Sequence, residues 1–244
     1  MIPKDYQKYY SEKIIYLPSF QVNDSKEVQP DITLTRQELG LPKDGFVFCC
    51  FNNTYKLTPA SLDLWARILK STSGSVLLLV ADNETAKANL IKEITIRGIK
   101  ANRLIFGGRL ERSEYLARYR LADLFLDTSP YNAGTTASDA LRMGLPVLTK
   151  LGSAYPSRMA ASIVNAVNLP ELITNSEKEY VSLAVEIAND PEKLKNIKEK
   201  LISNLSTAPL FNTKGFTKNL ETAYKNIYKR HCQGLKPDHI IVEH

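Results

Sequence analysis

The chain has 244 residues, 43% of them apolar and 24% charged, with a formal net charge of +6. That is the composition of an ordinary globular protein, and no stretch nears the roughly 18–20 uninterrupted apolar residues that cross a bilayer. The opening MIPKDYQKYYSEK is polar and lacks the apolar core of a signal peptide, so the cytoplasm is the expected compartment, with no membrane partner.

Residues 1–45 carry too few apolar side chains for a domain and read as a linker or the tail of something larger. Residues 13–20 (KIIYLPSF) suit one strand closed by Pro18, and 21–31 a polar loop; TLTRQELGLPKDG suits a short helix ending near Gly40. From Phe46 the pattern becomes regular. FVFCCF (46–51) is an apolar run fit for a strand buried on both faces. Thr58-Pro59 then opens a helix as N-cap and first residue, with Leu62, Trp65, Ile68 and Leu69 as its apolar stripe. Strands are expected at 75–82, 103–108, 124–128 and 146–149, with helices at 84–97 and 113–120 between them. A small-residue turn and short helix separate the last two strands. Strand and helix alternate, the signature of βαβ units, and right-handed crossovers then give an α/β, doubly wound parallel sheet. C-terminal helices follow over 157–167, 176–188, 191–205 and 213–231, the second opened by a Ser176/Glu179 capping box. Residues 235–244, which include PDHIIVEH, remain as a tail.

Nine Lys/Arg against three Glu between Pro191 and His231 account for the whole charge excess. With no aromatic-interleaved basic motif, these read as solvated helix faces, and no nucleic acid is expected. Cys49 and Cys50 are adjacent and point to opposite faces of a strand, while His231, His239 and His244 all lie near the C-terminus. Neither set makes a metal site, and no cofactor is expected.

In an open parallel sheet the ligand sits beyond the carboxyl ends of the strands. There the first regular strand offers Asn52, Asn53, Thr54, Tyr55 and Lys56; the third leads to Arg112, Tyr115 and Arg118. The fourth offers Thr128, Asn132 and the turn Gly134-Thr135-Thr136, with Asp139 one helical turn further on. Free N–H groups at a helix start favour an anion, Lys and Arg favour phosphate, and a carboxylate suits a ribose diol. Each feature also has a plain local reading: a threonine cap, a solvated loop lysine, a carboxylate on a helix dipole. Jointly they point to a nucleotide site without naming a reaction. No Walker-type loop, Gly-x-Gly-x-x-Gly or Gly-x-Ser-x-Gly is present to support other chemistries.

Four separated blocks carry a resemblance: FNNTYKLTP (51–59), RLADLFLDTSPYNAGTTASDALRMGLPVLT (120–149), SRMAAS (157–162) and APLFNTKGFT (208–217). In them the chain resembles the nucleotide-sugar-binding half of the O-GlcNAc transferase/SPINDLY glycosyltransferases. The resemblance implies the C-terminal, Rossmann-like lobe of a GT-B enzyme, over residues 46–234, with 1–45 as connector or remnant of an N-terminal lobe. It implies a UDP- or GDP-linked sugar donor, with UDP-GlcNAc first and GDP-fucose the alternative, and Ser/Thr of a protein or peptide as acceptor. Lys56 resembles the family lysine that stabilises the leaving diphosphate, and Asn53 stands in the same diphosphate region. Thr135 and Thr136 match the threonine pair on the phosphates, and Asp139 the ribose carboxylate. Arg112 stands for a lysine near the ribose, Tyr115 for a histidine that stacks on the base, and Arg118 for an arginine near it. Gly134 departs from the histidine of animal-type members, which bears on the choice of donor. Tetratricopeptide repeats and most of an N-terminal lobe lie outside these residues. The chain is therefore expected to be a fragment, or a donor-binding lobe that works with an N-terminal lobe or repeat domain; a non-catalytic sugar-nucleotide module is the competing expectation.

Overall fold

The computed structural model describes residues 1–18, 30–81 and 83–243. Eight strands occur among them: β1 (Ile15–Tyr16), β2 (Val47–Cys50), β3 (Val76–Val80), β4 (Leu104–Gly107), β5 (Leu124–Leu126), β6 (Val147–Lys150), β7 (Ile173–Thr174) and β8 (Ile240–Ile241). The helices are α1 (Pro59–Ser71), α2 (Glu84–Ile96), α3 (Arg112–Arg118), α4 (Thr135–Arg142), α5 (Met159–Ala166), α6 (Glu177–Asn189), α7 (Pro191–Leu205) and α8 (Thr213–Cys232). Strands β2 to β7 form one sheet in the order β4-β3-β2-β5-β6-β7, and every pairing is parallel. This is the doubly wound order expected from the alternation of elements, with the chain reversing direction between β2 and β5. None of the helices among the described residues is long and apolar enough to cross a membrane.

The central strands are apolar without alternation because helices cover both faces. Val47, Phe48, Cys49 and Cys50 are buried, as are Leu124, Phe125 and Leu126. Helix α1 starts as its sequence demands: Thr58 Oγ1 accepts from Ser61 N at 3.2 Å, Pro59 follows, and Leu62, Trp65, Ile68 and Leu69 are buried against the sheet. Thr58 Oγ1 also donates to Ser129 O at 3.3 Å, so the cap touches the loop after β5. Thr58→Ala is expected to cost about 1 kcal/mol of stability, read by urea denaturation; an unchanged midpoint would show the cap to be idle.

Three sequence expectations need correction. Residues 36–40 form a single turn, not a helix. Thr35 and Glu38 make a reciprocal cap (Thr35 N to Glu38 Oε2 at 2.6 Å, Glu38 N to Thr35 Oγ1 at 3.3 Å). Gly40 then takes φ +65° and Leu41 N closes on Arg36 O at 2.8 Å, which ends the helix as it begins. Arg36 instead reaches Asp123 (2.8 Å), whose carboxylate also accepts from Val47 N at the foot of β2. The sheet has six strands, not five, because β7 pairs with β6 through Thr149/Ile173 and Lys150/Thr174. Two residues are too few to show a period. Of residues 13–18, only the two of β1 are strand; β1 pairs in parallel with β8, so Ile240–Ile241 within PDHIIVEH is a strand. Residues 19–20, and 21–29 of the expected polar loop, lie outside the described residues.

Candidate functional site

The reversal point places the carboxyl ends of β2 and β5 side by side, and both loops that leave them turn over the sheet edge. Asn52, two residues beyond the strand-end Cys50, is buried and joins the loops. Its Nδ2 donates to Thr128 Oγ1 at 2.8 Å, and its Oδ1 accepts from Thr136 Oγ1 at 2.5 Å. The chain then makes a 3-10 turn over Thr54–Lys56.

The loop after β5 is organised by Asp127. Its Oδ1 accepts from Thr128 N (2.8 Å) and Ala133 N (2.7 Å), and its Oδ2 from Thr149 Oγ1 on β6 (2.7 Å). Burial pushes the Asp127 carboxyl up to about 7 although these donors pull it down. Thr128 Oγ1 donates to Tyr131 O at 2.6 Å and Asn132 Nδ2 to Thr128 O at 2.7 Å, closing the turn. Asn132 Oδ1 is buried with no protein partner. Helix α4 begins at Thr135 with Gly134 as its N-cap and no side-chain cap, so the first N–H groups have no carbonyl one turn back. A Cβ on Gly134 would meet only Met159 Cγ at 3.8 Å, so packing does not demand glycine there.

These two loops, with the loop after β6, enclose a cleft of about 580 Å³. Asn53, Lys56, Asn132, Gly134, Thr135 and Thr136 all line it, together with Asn52, Tyr55, Tyr131, Tyr155, Pro156 and Met159. Lys56 Nζ donates to Asn132 O at 3.0 Å and lies 4.1 Å from the centre of the Tyr131 ring. An ammonium, a helix start and amide side chains on one wall make a receptor for a polyanion.

Arg112, Tyr115, Arg118 and Asp139 gather in a second cluster, at the join of α3 and α4. Arg112 grips Asp139 through two bonds of 2.7 and 2.8 Å; the carboxylate is 1% exposed and the guanidinium 45%. Tyr115 Oη and Tyr119 Oη are 2.5 Å apart, and Tyr119 Oη donates to Thr136 O at 3.2 Å, which joins this cluster to the start of α4. Burial pushes the Tyr115 phenol up to about 12, so it is neutral at physiological pH. Arg118 is buried beneath them. It donates to Gly108 O at 2.9 Å and lies 4.3 Å from the Phe51 ring centre, and burial lowers its pKa. Burial also pushes both the Cys49 and Cys50 thiols up, which removes them as nucleophiles. Among the described residues no group of three or more His, Cys, Asp or Glu could hold a metal ion.

Sequence reasoning missed Tyr131, Tyr155 and Met159 as walls and Asp127 as organiser. Tyr131 stands beside Asn132 at a strand's carboxyl end and was open to the same rule. Tyr155 and Met159 come from beyond β6; Met159 falls in the SRMAAS block, which carries the resemblance but does not mark which of its residues line a cleft.

A profile of glycosyl transferase family 41 matches residues 20–220. A probable UDP-N-acetylglucosamine–peptide N-acetylglucosaminyltransferase SEC of Arabidopsis thaliana is 34% identical over 98% of this chain. A probable UDP-N-acetylglucosamine–peptide N-acetylglucosaminyltransferase SPINDLY of Petunia hybrida is 33% identical over 80% of it. The chain spans 25% and 21% of the length of these two relatives. A Thermobaculum terrenum O-GlcNAc transferase structure, the K341M mutant, superposes with a TM-score of 0.84 at 29% identity, covering 96% of this chain and 44% of that one. The resemblance carried by the four sequence blocks is thus borne out, and so is the Rossmann-like lobe it implied: the chain belongs to glycosyl transferase family 41.

Proposed function

We propose that this chain is the donor-binding lobe of a protein O-linked glycosyltransferase, holding UDP-GlcNAc for transfer to Ser/Thr of a protein or peptide. The observation that carries the reading is the convergence of Lys56, Asn53 and the start of α4 on one cleft at the reversal point of the sheet. The names of the relatives add the donor and acceptor classes. In this reading the diphosphate lies between Lys56 and the Thr135/Thr136 N–H groups, with Asn53 beside it. Lys56 offsets the charge that develops on the leaving nucleotide, a gain realised in the transition state. The ribose meets Asp139 and Arg112, and the base the Tyr115 ring, which buried Arg118 supports. Asn132 acts through its carbonyl on Lys56. Acceptor groups come in part from another lobe, since residues 1–45 act as a connector. GDP-fucose is the competing donor, because Gly134 leaves the sugar end open.

Calorimetry of the chain with UDP, GDP, UDP-GlcNAc and GDP-fucose tests this. Saturable binding of UDP and UDP-GlcNAc, tighter than of the guanine pair, is the expected result. Tighter binding of GDP-fucose would reassign the donor, and no binding of any of the four at millimolar concentration would overturn the reading.

A further inference from the structure

The Lys56 ammonium has three N–H donors, and its surroundings are unusual for a lysine at a cleft wall. One donor goes to Asn132 O at 3.0 Å, and the charge lies 4.1 Å from the Tyr131 ring centre. No ion pair involves Lys56 among the described residues. The side chain is therefore held by two consecutive residues of the loop after β5, neither of which neutralises it.

We propose that Tyr131 is the positioning residue for Lys56, its ring face holding the ammonium ready for the terminal phosphate of a nucleoside diphosphate; this rests on the donor-site reading above. A lysine stem has four rotatable carbons and a large rotamer entropy to lose on binding an anion. A carboxylate partner would hold it but cancel the charge the phosphate needs. The π face attracts a cation through its quadrupole and leaves that charge in place. The ring is itself fixed. Tyr55, beside Lys56 in sequence, packs against it edge-on with centroids 6.0 Å apart, and Thr128 Oγ1 holds the Tyr131 carbonyl at 2.6 Å. Yet Tyr131 is 47% exposed, far more than core packing needs, so its ring is placed for the cleft and not for the fold.

The test compares UDP with UMP (or GDP with GMP, should guanine bind tighter) by calorimetry on the whole chain. The variants are Tyr131→Ala, Tyr131→Leu and Tyr131→Phe, with melting midpoints alongside. Tyr131→Ala and Tyr131→Leu are expected to weaken diphosphate binding by about 3- to 10-fold and monophosphate binding less, while Tyr131→Phe keeps the wild-type ratio. In a Lys56→Ala background, Tyr131→Ala is expected to change diphosphate affinity no further. A ratio unchanged in Tyr131→Ala, an equal loss in Tyr131→Phe, or a full additional loss in the Lys56→Ala background would overturn the role of Tyr131 while the donor site stands. A wild-type chain that binds none of these nucleotides at millimolar concentration would remove the donor site and the inference with it.

Discussion

Lys56→Ala is expected to lower the affinity of the chain for UDP by about 10- to 100-fold, the worth of one charge-assisted hydrogen bond. Where transfer is measured, the loss is expected to be larger, about 10²- to 10³-fold in turnover, because charge on the departing diphosphate grows toward the transition state. The fold should survive. Among the described residues the Lys56 side chain meets Asn132 O and the Tyr131 ring, and it sits in a turn, not in the core. Removing the ammonium leaves Asn132 O at a cleft wall where water replaces it. Lys56→Arg is not a neutral control, since a guanidinium can stack on the ring but carries its charge spread over a longer planar fork, not as a compact point charge at the same place. Affinity within 2-fold of wild type in Lys56→Ala, together with unchanged turnover, would remove this residue from the site.

The place of Lys56 was legible because it is local: a lysine in the turn after the first buried strand, ahead of a Thr-Pro helix start; its expected role came from the family resemblance, since alone it reads as a solvated loop lysine. The same is true of Asn53 and of Gly134-Thr135-Thr136, whose position at a helix N-terminus follows from the pattern around them. What each side chain does there was not legible. The Thr136 hydroxyl is taken by Asn52, 84 positions earlier, so only its backbone faces the question of a ligand. Arg112 and Asp139 are 27 positions apart on two short helices and meet only because α3 and α4 pack at the same edge. Arg118 reads as a surface arginine at helical spacing, yet it is buried beneath Tyr115 and against Phe51. Periodicity reports which face of an element is apolar; it does not report which polar groups tertiary packing brings within 3 Å of each other. The fold errors have the same root in reverse. A two-residue strand has no period, and a cap followed by Gly40 reads as a helix until the turn is seen to close.

Asp127→Ala is expected to cost about 3–5 kcal/mol, because it removes one buried acceptor from four donors at once and leaves a void. Those donors are Thr128 N, Ala133 N, Thr149 Oγ1 and, at 3.4 Å, Asn52 Nδ2, and the two backbone N–H groups hold the turn that carries Tyr131 and Asn132. Asp127→Asn separates shape from charge. The amide oxygen can keep both backbone donors, and its NH₂ can meet a rotated Thr149 hydroxyl, so at pH 5 it is expected within about 1 kcal/mol of wild type. The sign of the pH effect follows from the raised folded-state value. Between about 4, where the unfolded carboxyl loses its proton, and about 7, where the folded one does, the folded chain holds a proton that the unfolded chain has released. Rising pH therefore removes stability across that window, by up to about 1.4 kcal/mol per unit, and the loss levels off above it. Asp127→Asn has no such group, so it should gain on the wild type steadily from pH 5 to pH 7 and exceed it in stability by pH 8. Urea titrations of the three proteins at pH 5, 6, 7 and 8 decide the matter. If the gap between wild type and Asp127→Asn stays constant over that range, Asp127 is an ordinary ionised carboxylate in the fold and the donors around it outweigh its burial.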